Sequence, residues 1–151
     1  MGPQYFKLHV VNKMGATIDF NADSANNVLL IELLPWKITT GGALSFGTKL
    51  DRDLGSSNDL ADGASLPIST AIDNSSNLDF GFDCWVSLES DCASAGQIEI
   101  YMEKSVDGGT TYPSDSADWD AEEDGILVAV LLHAGGSAGS PDFRSTNFEI
   151  R

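Results

Sequence analysis

The chain has 151 residues, and its 8 basic against 23 acidic side chains give a formal net charge of −15. With 42% hydrophobic residues, this length predicts one domain around one core and argues against a disordered chain. The negative charge argues against nucleic acid and an anionic membrane as partners, because both would be repelled over most of the surface.

The first residues do not have the pattern of a targeting segment. Residues 1–7 lack the basic region and the apolar stretch of a secretory signal. The longest apolar run, residues 126–132, is far shorter than the ~20 residues of a membrane helix. We therefore expect a soluble product that is synthesised in a cytoplasm.

Short segments with period-two alternation appear in the N-terminal half. In residues 4–11, Phe6, Leu8 and Val10 share one face, and His9 lies on the outer face. Residues 28–34 are apolar except for Glu32 and stop before Pro35. A short helix capped by Ser24 is the alternative here, but the run is too short for three helical turns, which favours a strand. Weaker strand candidates are residues 17–20, 44–50 and 65–72.

Stronger strand patterns follow in the C-terminal half. In residues 80–88, alternate apolar side chains from Phe80 to Leu88 point one way and Trp85 points the other. Residues 97–104 alternate in the same manner. Residues 126–132 are apolar on both faces, which predicts a central strand. Residues 147–151 predict a closing strand with Phe148 and Ile150 inward.

Clusters of Gly, Asn, Asp and Ser separate these segments, and no segment shows the apolar spacing and caps of a long helix. Strands of this length between such turns predict an all-β fold. We expect an antiparallel β-sandwich, jelly-roll-like, with few or no helices and a single domain over residues 1–151.

Motifs for catalysis are weak. Residues 135–139 match Gly-x-Ser-x-Gly, but Pro141 follows and no helix is predicted, so a flexible loop is favoured over a hydrolase turn. His9 and His133 have no metal-binding spacing and are expected at the surface or at a strand end. We predict no catalytic residue, no cofactor and no enzymatic activity.

Six carboxylates crowd residues 115–124. Asp115, Asp118, Asp120 and Asp124 are the candidates for a shared Ca²⁺ ion, which prefers clustered oxygen ligands. Glu123 stands where an EF-hand loop needs glycine. This departure favours a solvated acidic loop over a metal site.

Cys84 falls in a predicted strand and Cys92 in the turn after it. If the strand runs to Leu88, the two Cα atoms lie more than ~7 Å apart, which favours two unpaired thiols unless the turn folds back.

The three tryptophans, Trp36, Trp85 and Trp119, have two interpretations. In the first interpretation they form a platform on which sugars stack, and Trp85 is the best candidate because the alternation of its strand places it on the outer face. Alternatively they belong to a second core or to a loop covering the sheet, and this interpretation is favoured.

Four stretches in order carry a resemblance to a known class of protein. They are residues 69–78 (STAIDNSSNL), the strand 80–88, residues 95–112 (AGQIEIYMEKSVDGGTTY) and the apolar strand 126–132. This order resembles small β-sandwich virion proteins of tailed bacteriophages, of the capsid decoration or cement type. The resemblance covers residues 69–134.

This resemblance implies a non-enzymatic structural protein that assembles as a homotrimer on the major capsid protein lattice of the virion. On this interpretation, residues 1–16 are an assembly arm, and Tyr5, Phe6 and Trp36 are contact residues. The alternative is a carbohydrate- or Ca²⁺-dependent binding module, either a receptor-binding part of a virion or another component such as a head fibre or tail protein.

Overall fold

The computed structural model describes residues 3–20, 27–53, 59–68, 70–76, 79–136 and 142–151. Its strands are, in chain order, β1 (Tyr5–Lys13), β2 (Ile18–Asp19), β3 (Asn27–Ile38), β4 (Leu44–Phe46), β5 (Leu50–Asp53), β6 (Asp59–Leu60), β7 (Ser65–Pro67), β8 (Ile72–Asp73), β9 (Gly81–Ser90), β10 (Gly96–Lys104), β11 (Ile126–His133) and β12 (Asp142–Ile150). A 3-10 turn (Pro113–Asp115) and a one-turn helix, α1 (Ala121–Asp124), lie between β10 and β11.

Two antiparallel sheets make up the body of the protein. The first sheet has the order β11-β10-β1-β7, with β8 also paired to β1, and the second has the order β12-β9-β3-β4, with β5 also paired to β3. Strands β2 and β6 form a separate pair. Strand β11 packs against β12, so the two sheets are layered with these strands at one side. The predicted all-β sandwich is confirmed.

The core lies between the two sheets. Alternate side chains of β1 point into it, and the Phe6 ring meets the Phe82 ring edge to face at a centroid distance of 5.2 Å. The predicted inner faces of β9 and β10 are confirmed, as are the inward positions of Phe148 and Ile150. Phe80 is an exception, because it precedes β9 and is exposed.

Strand β3 continues through Pro35, which no sequence pattern predicted. The Pro35 carbonyl accepts a hydrogen bond of 2.8 Å from the Gly47 N–H, between the stretches of β3 that pair with β5 and with β4. The nitrogen and carbonyl of one strand residue point to the same side. The missing N–H of Pro35 therefore falls in a gap of the ladder, where a proline is tolerated.

Two predictions about strand position are wrong. Strand β11 is an edge strand of the first sheet, and its outer-facing apolar side chains are exposed. Residues 5–13 of the expected arm instead form β1, which lies inside the first sheet between β10 and the β7 and β8 strands. Among the described residues, no helix is long and apolar enough to cross a membrane.

Candidate functional site

Apolar side chains crowd the β3–β4 hairpin. The register pairs Trp36 with Phe46 and Ile38 with Leu44, which places all four on the outer face of the second sheet. Phe80 stacks on Trp36 with ring centroids 6.4 Å apart. Leu44 and Phe46 are 55% and 52% exposed. These five side chains form an apolar surface that we call the hairpin patch.

The absence of a side chain at Gly81 allows the Trp36 ring to lie close to the sheet. Gly81 pairs with Trp36, and a Cβ on Gly81 would lie 2.6 Å from the Ile150 carbonyl oxygen and 2.9 Å from Cζ2 of Trp36. Only glycine permits this close approach of the indole to the backbone. The Arg151 guanidinium lies 5.9 Å from the Trp36 ring centroid, within range of a cation–π interaction.

A groove centred on Trp85 lies on the same face. The register pairs Trp85 with Glu32 of β3 and with Asn147 of β12, and Asp83 shares its face two residues earlier. A cavity of about 610 Å³ opens over these side chains and is also lined by Lys49 and Glu149. We call it the Trp85 groove. Asp83 and Glu149 also line the depression beside Trp36, so the groove adjoins the hairpin patch.

Ion pairs neutralise part of the charge around this groove. Lys49 contacts Glu32 and lies 2.9 Å from an Asp51 carboxylate oxygen. Nε of Arg151 lies 2.8 Å from Oε1 of Glu149. The hydrogen bond to Glu32, followed by that to Asp51, raises the pKa of Lys49. The carboxylate of the exposed Asp83 remains accessible as a hydrogen-bond acceptor.

Strand β11 carries the second apolar surface. Among the described strands, β11 pairs only with β10, and it has no charged residue or proline from Ile126 to Leu132. Leu127 is 50% exposed and Leu132 is 66% exposed. Edge strands without charge or proline are prone to pair with another chain. We call this surface, which comprises Ile126, Leu127, Val130 and Leu132, the β11 edge.

Residues 105–125 cover the part of the first sheet's outer face that β1 and β10 form. Trp119 and Ala121 pack on Val11 and Tyr101 in a second small core. The Trp119 ring lies over His9 with a centroid distance of 4.4 Å. The prediction of the outer face for His9 is correct, but its expected surface position is wrong, since the covering segment leaves it only 2% exposed.

Glu103 is the centre of a buried polar network beneath this cover. Its Oε1 atom lies 2.6 Å from Nε2 of His9. Its Oε2 atom accepts a 2.8 Å hydrogen bond from the Ser114 N–H, and the Ser114 hydroxyl also donates to Oε1. The Lys7 ammonium lies 4.0 Å from Oε1 of Glu103. The sequence did not predict this cluster, because it joins β1, β10 and the 3-10 turn.

The network has the chemistry of a structural support. Burial lowers the pKa of His9 although the hydrogen bond to Glu103 opposes this shift, so at neutral pH the ring is neutral and its Nε2–H donates to the carboxylate. The Ser114 hydroxyl donates to Glu103 and not to the imidazole. In a Ser–His–Asp triad the imidazole accepts the proton of the serine hydroxyl, so these three side chains do not have the order of a triad.

The acidic run uses its carboxylates to cap local turns. Asp115 accepts a 2.7 Å hydrogen bond from the Tyr112 N–H, which lowers the pKa of its carboxyl group. Asp120 accepts from the Glu122 N–H at 2.8 Å, and Asp124 accepts from the Asp120 N–H at 3.0 Å.

Asp118 is exposed. In the part of the chain that the structure describes, no three His, Cys, Asp or Glu side chains converge as a metal site. The four Ca²⁺ candidates, Asp115, Asp118, Asp120 and Asp124, are therefore not brought together.

The predicted contact residues have different positions. Phe6 is fully buried in the core, so its prediction as a contact residue is wrong: the face that its alternation gives it is the inner one. Tyr5 is half-buried against the turn at Gly109, where a Cβ would lie 2.6 Å from the Tyr5 ring. Trp36 belongs to the hairpin patch and is half-buried.

The three tryptophans lie in three separate places and do not form one platform. Trp119 is part of the cover on the first sheet, as the covering-loop interpretation expected. Trp36 belongs to the hairpin patch, and Trp85 lies in the groove that bears its name.

Both cysteines are unpaired, as predicted, and both are buried. Burial raises the pKa of the Cys84 thiol. His133 ends β11 and its Nε2 lies 2.8 Å from the Cys92 carbonyl oxygen, which confirms its strand-end position. Residues 137–139 of the Gly-x-Ser-x-Gly match lie outside the described residues.

No protein-family model, curated protein or solved structure matches this chain. What the protein does therefore has to be inferred from the surfaces described above.

Proposed function

We propose that this chain is a non-enzymatic structural protein of a bacteriophage virion, of the capsid decoration type. It is synthesised in the host cytoplasm and binds the outer surface of the head as a homotrimer. The observation that supports this proposal is the pair of exposed apolar surfaces on one sandwich, the hairpin patch and the β11 edge.

These surfaces lie at opposite sides of the molecule. Strand β4 carries the hairpin patch at one edge of the second sheet, and β11 stacks on β12, at the other edge of that sheet. A protein that decorates a lattice needs two different contacts, one with sister subunits and one with the shell. We assign the β11 edge to sister subunits and the hairpin patch to the major capsid protein.

Because a shell repeats its binding sites, a modest contact at each site is sufficient for stable attachment. A trimer that binds a shell at three points gains avidity through effective concentration, so each hairpin patch can bind weakly. A closed ring of identical subunits also matches the rotational symmetry of a shell. The net charge of −15 disfavours clumping of particles that are covered by such a protein.

Two measurements test this function. Light scattering after gel filtration should give the mass of three chains, and Leu132→Lys should reduce that mass to one chain, because it places a charge on the β11 edge. A mass of one chain for the unaltered protein contradicts the homotrimer.

The second measurement is co-sedimentation with shells assembled from the major capsid protein of the same genome. We expect saturable binding that Phe46→Ser reduces at least tenfold. Val106→Ser is the matched control, since Val106 is apolar, 91% exposed and outside the hairpin patch. A genome without a capsid gene, the absence of saturable binding, or equal loss in both variants contradicts the proposal.

A further inference from the structure

We propose that the Trp85 groove binds a neutral sugar ring, an activity separate from the shell contact. The proposal follows from the arrangement of side chains on the outer face of β3, β9 and β12. There Trp85 has Glu32 opposite it on one side and Asn147 opposite it on the other.

The sheet sets the spacing of these groups. In an antiparallel sheet, directly opposite residues have Cβ atoms about 4.5–5.5 Å apart, and diagonal neighbours lie ~7–8 Å apart. Glu32 and Asn147 are thus one strand away from Trp85 on either side, and Asp83 lies along its own strand. A hexopyranose that stacks on the indole would carry its ring hydroxyls to these polar side chains.

Trp85 itself is available for stacking. It is half-buried, so the indole is supported by the sheet while part of its surface faces the groove. Among the described residues, Trp36 stacks on Phe80 and Trp119 packs on His9, but Trp85 has no ring partner. Leu34 adds an apolar wall to the groove. An aromatic ring with one apolar neighbour fits the C–H face of a sugar.

The polar groups fit hydroxyls, because each hydroxyl both donates and accepts hydrogen bonds. The Asn147 amide can do both, Asp83 accepts, and the Lys49 ammonium donates. The cavity of about 610 Å³ lies within the range of roughly 300–1,000 Å³ that is typical of small-molecule sites. This size suits one or two sugar units.

Charge selects the class of sugar. Three carboxylates, those of Glu32, Asp83 and Glu149, line the groove together with the single ammonium of Lys49. Anionic sugars such as sialic and uronic acids would meet this excess of negative charge. We therefore expect neutral glucose-, galactose-, mannose- or N-acetylhexosamine-containing glycans to bind, and their acidic counterparts to bind more weakly.

The test is an array of neutral and acidic oligosaccharides probed with the full chain, followed by calorimetric titration of the best neutral one. Trp85→Ala should lower the affinity at least tenfold and Asn147→Ala several-fold. Ser145→Ala is the matched control: Ser145 is exposed on the same face of β12, two residues from Asn147, and its loss should leave affinity unchanged. Thermal melts verify that each variant is folded.

Trp85→Phe keeps a flat ring and should retain part of the affinity if Trp85→Ala fails to fold. The proposal is overturned if no neutral oligosaccharide binds, if binding is equal in the Trp85 and Ser145 variants, or if the groove captures lysine- or arginine-rich peptides instead. Shell binding is measured separately, since the Trp85 variants leave the hairpin patch intact.

Discussion

Replacing Glu103 by alanine tests the network that fixes the cover of the first sheet. The substitution removes the acceptor of three donors: Nε2–H of His9, the backbone N–H of Ser114 and the Ser114 hydroxyl. Both His9 and Glu103 are almost fully buried. Ser114 is half-buried, so its donors can turn to water in the variant.

The expected loss of stability follows from the hydrogen-bond donors that the substitution leaves without an acceptor. Each buried donor without an acceptor costs about 1–3 kcal/mol, and a hydrogen bond to a charged group contributes about 1.5–3 kcal/mol. Because Ser114 can be rehydrated, we expect Glu103→Ala to lower the free energy of unfolding by about 3 kcal/mol. Glu103→Gln keeps one acceptor oxygen and should cost about 1–2 kcal/mol.

Urea denaturation at neutral pH, followed by tryptophan fluorescence, measures both variants. Glu122→Ala is the control, because its carboxylate forms an exposed ion pair with Lys13 and such pairs contribute at most about 1 kcal/mol. A loss below about 1 kcal/mol for Glu103→Ala, or a loss equal to that of Glu122→Ala, refutes the stabilising role of the network.

Three further predictions follow from single contacts. Burial lowers the pKa of His9 below its ordinary 6.5, so as the pH falls the unfolded chain binds this proton before the folded chain does. The free energy of unfolding should therefore have its full value above about pH 6.5 and decrease below it. Urea denaturation across this pH range should show a smaller decrease for His9→Gln. Gly81→Ala should lower stability by about 1–3 kcal/mol in thermal melts, because its Cβ overlaps Trp36 and the backbone; an unchanged melting temperature contradicts this. Cys84 and Cys92 are buried, so a thiol reagent should label neither in the native protein and both in urea, and rapid native labelling would show that either site opens.

Alternation within one strand is a local property, and the sequence therefore predicted it well. Phe82, Ile98 and Leu8 point into the core as the period of two requires. The order of strands depends on pairing between distant segments, which alternation does not encode. For this reason the apolar run 126–132 predicted a central strand, although β11 lies at an edge with one face in solvent.

The same limit applies to the candidate sites. The outward parity of Trp85 was evident from residues 80–88, but Glu32 and Asn147 became its neighbours only through the register of β3 and β12. His9 was placed on the correct face, yet its burial depends on Trp119, more than a hundred residues later in the chain. Sequence patterns indicated single side chains, and the pairing of strands assembled them into sites.

The two outer faces of the sandwich differ in how their central apolar side chains are covered. Tyr101 and Val11 lie on the outer side of the first sheet, where Trp119 and Ala121 cover them. The second sheet has Trp85 and further apolar side chains on its outer side, but no described segment lies over the groove. Apolar side chains on an outer face are stabilised when another surface excludes water from them. On the first sheet that surface belongs to the chain itself, and on the second sheet we propose that a ligand or a partner provides it.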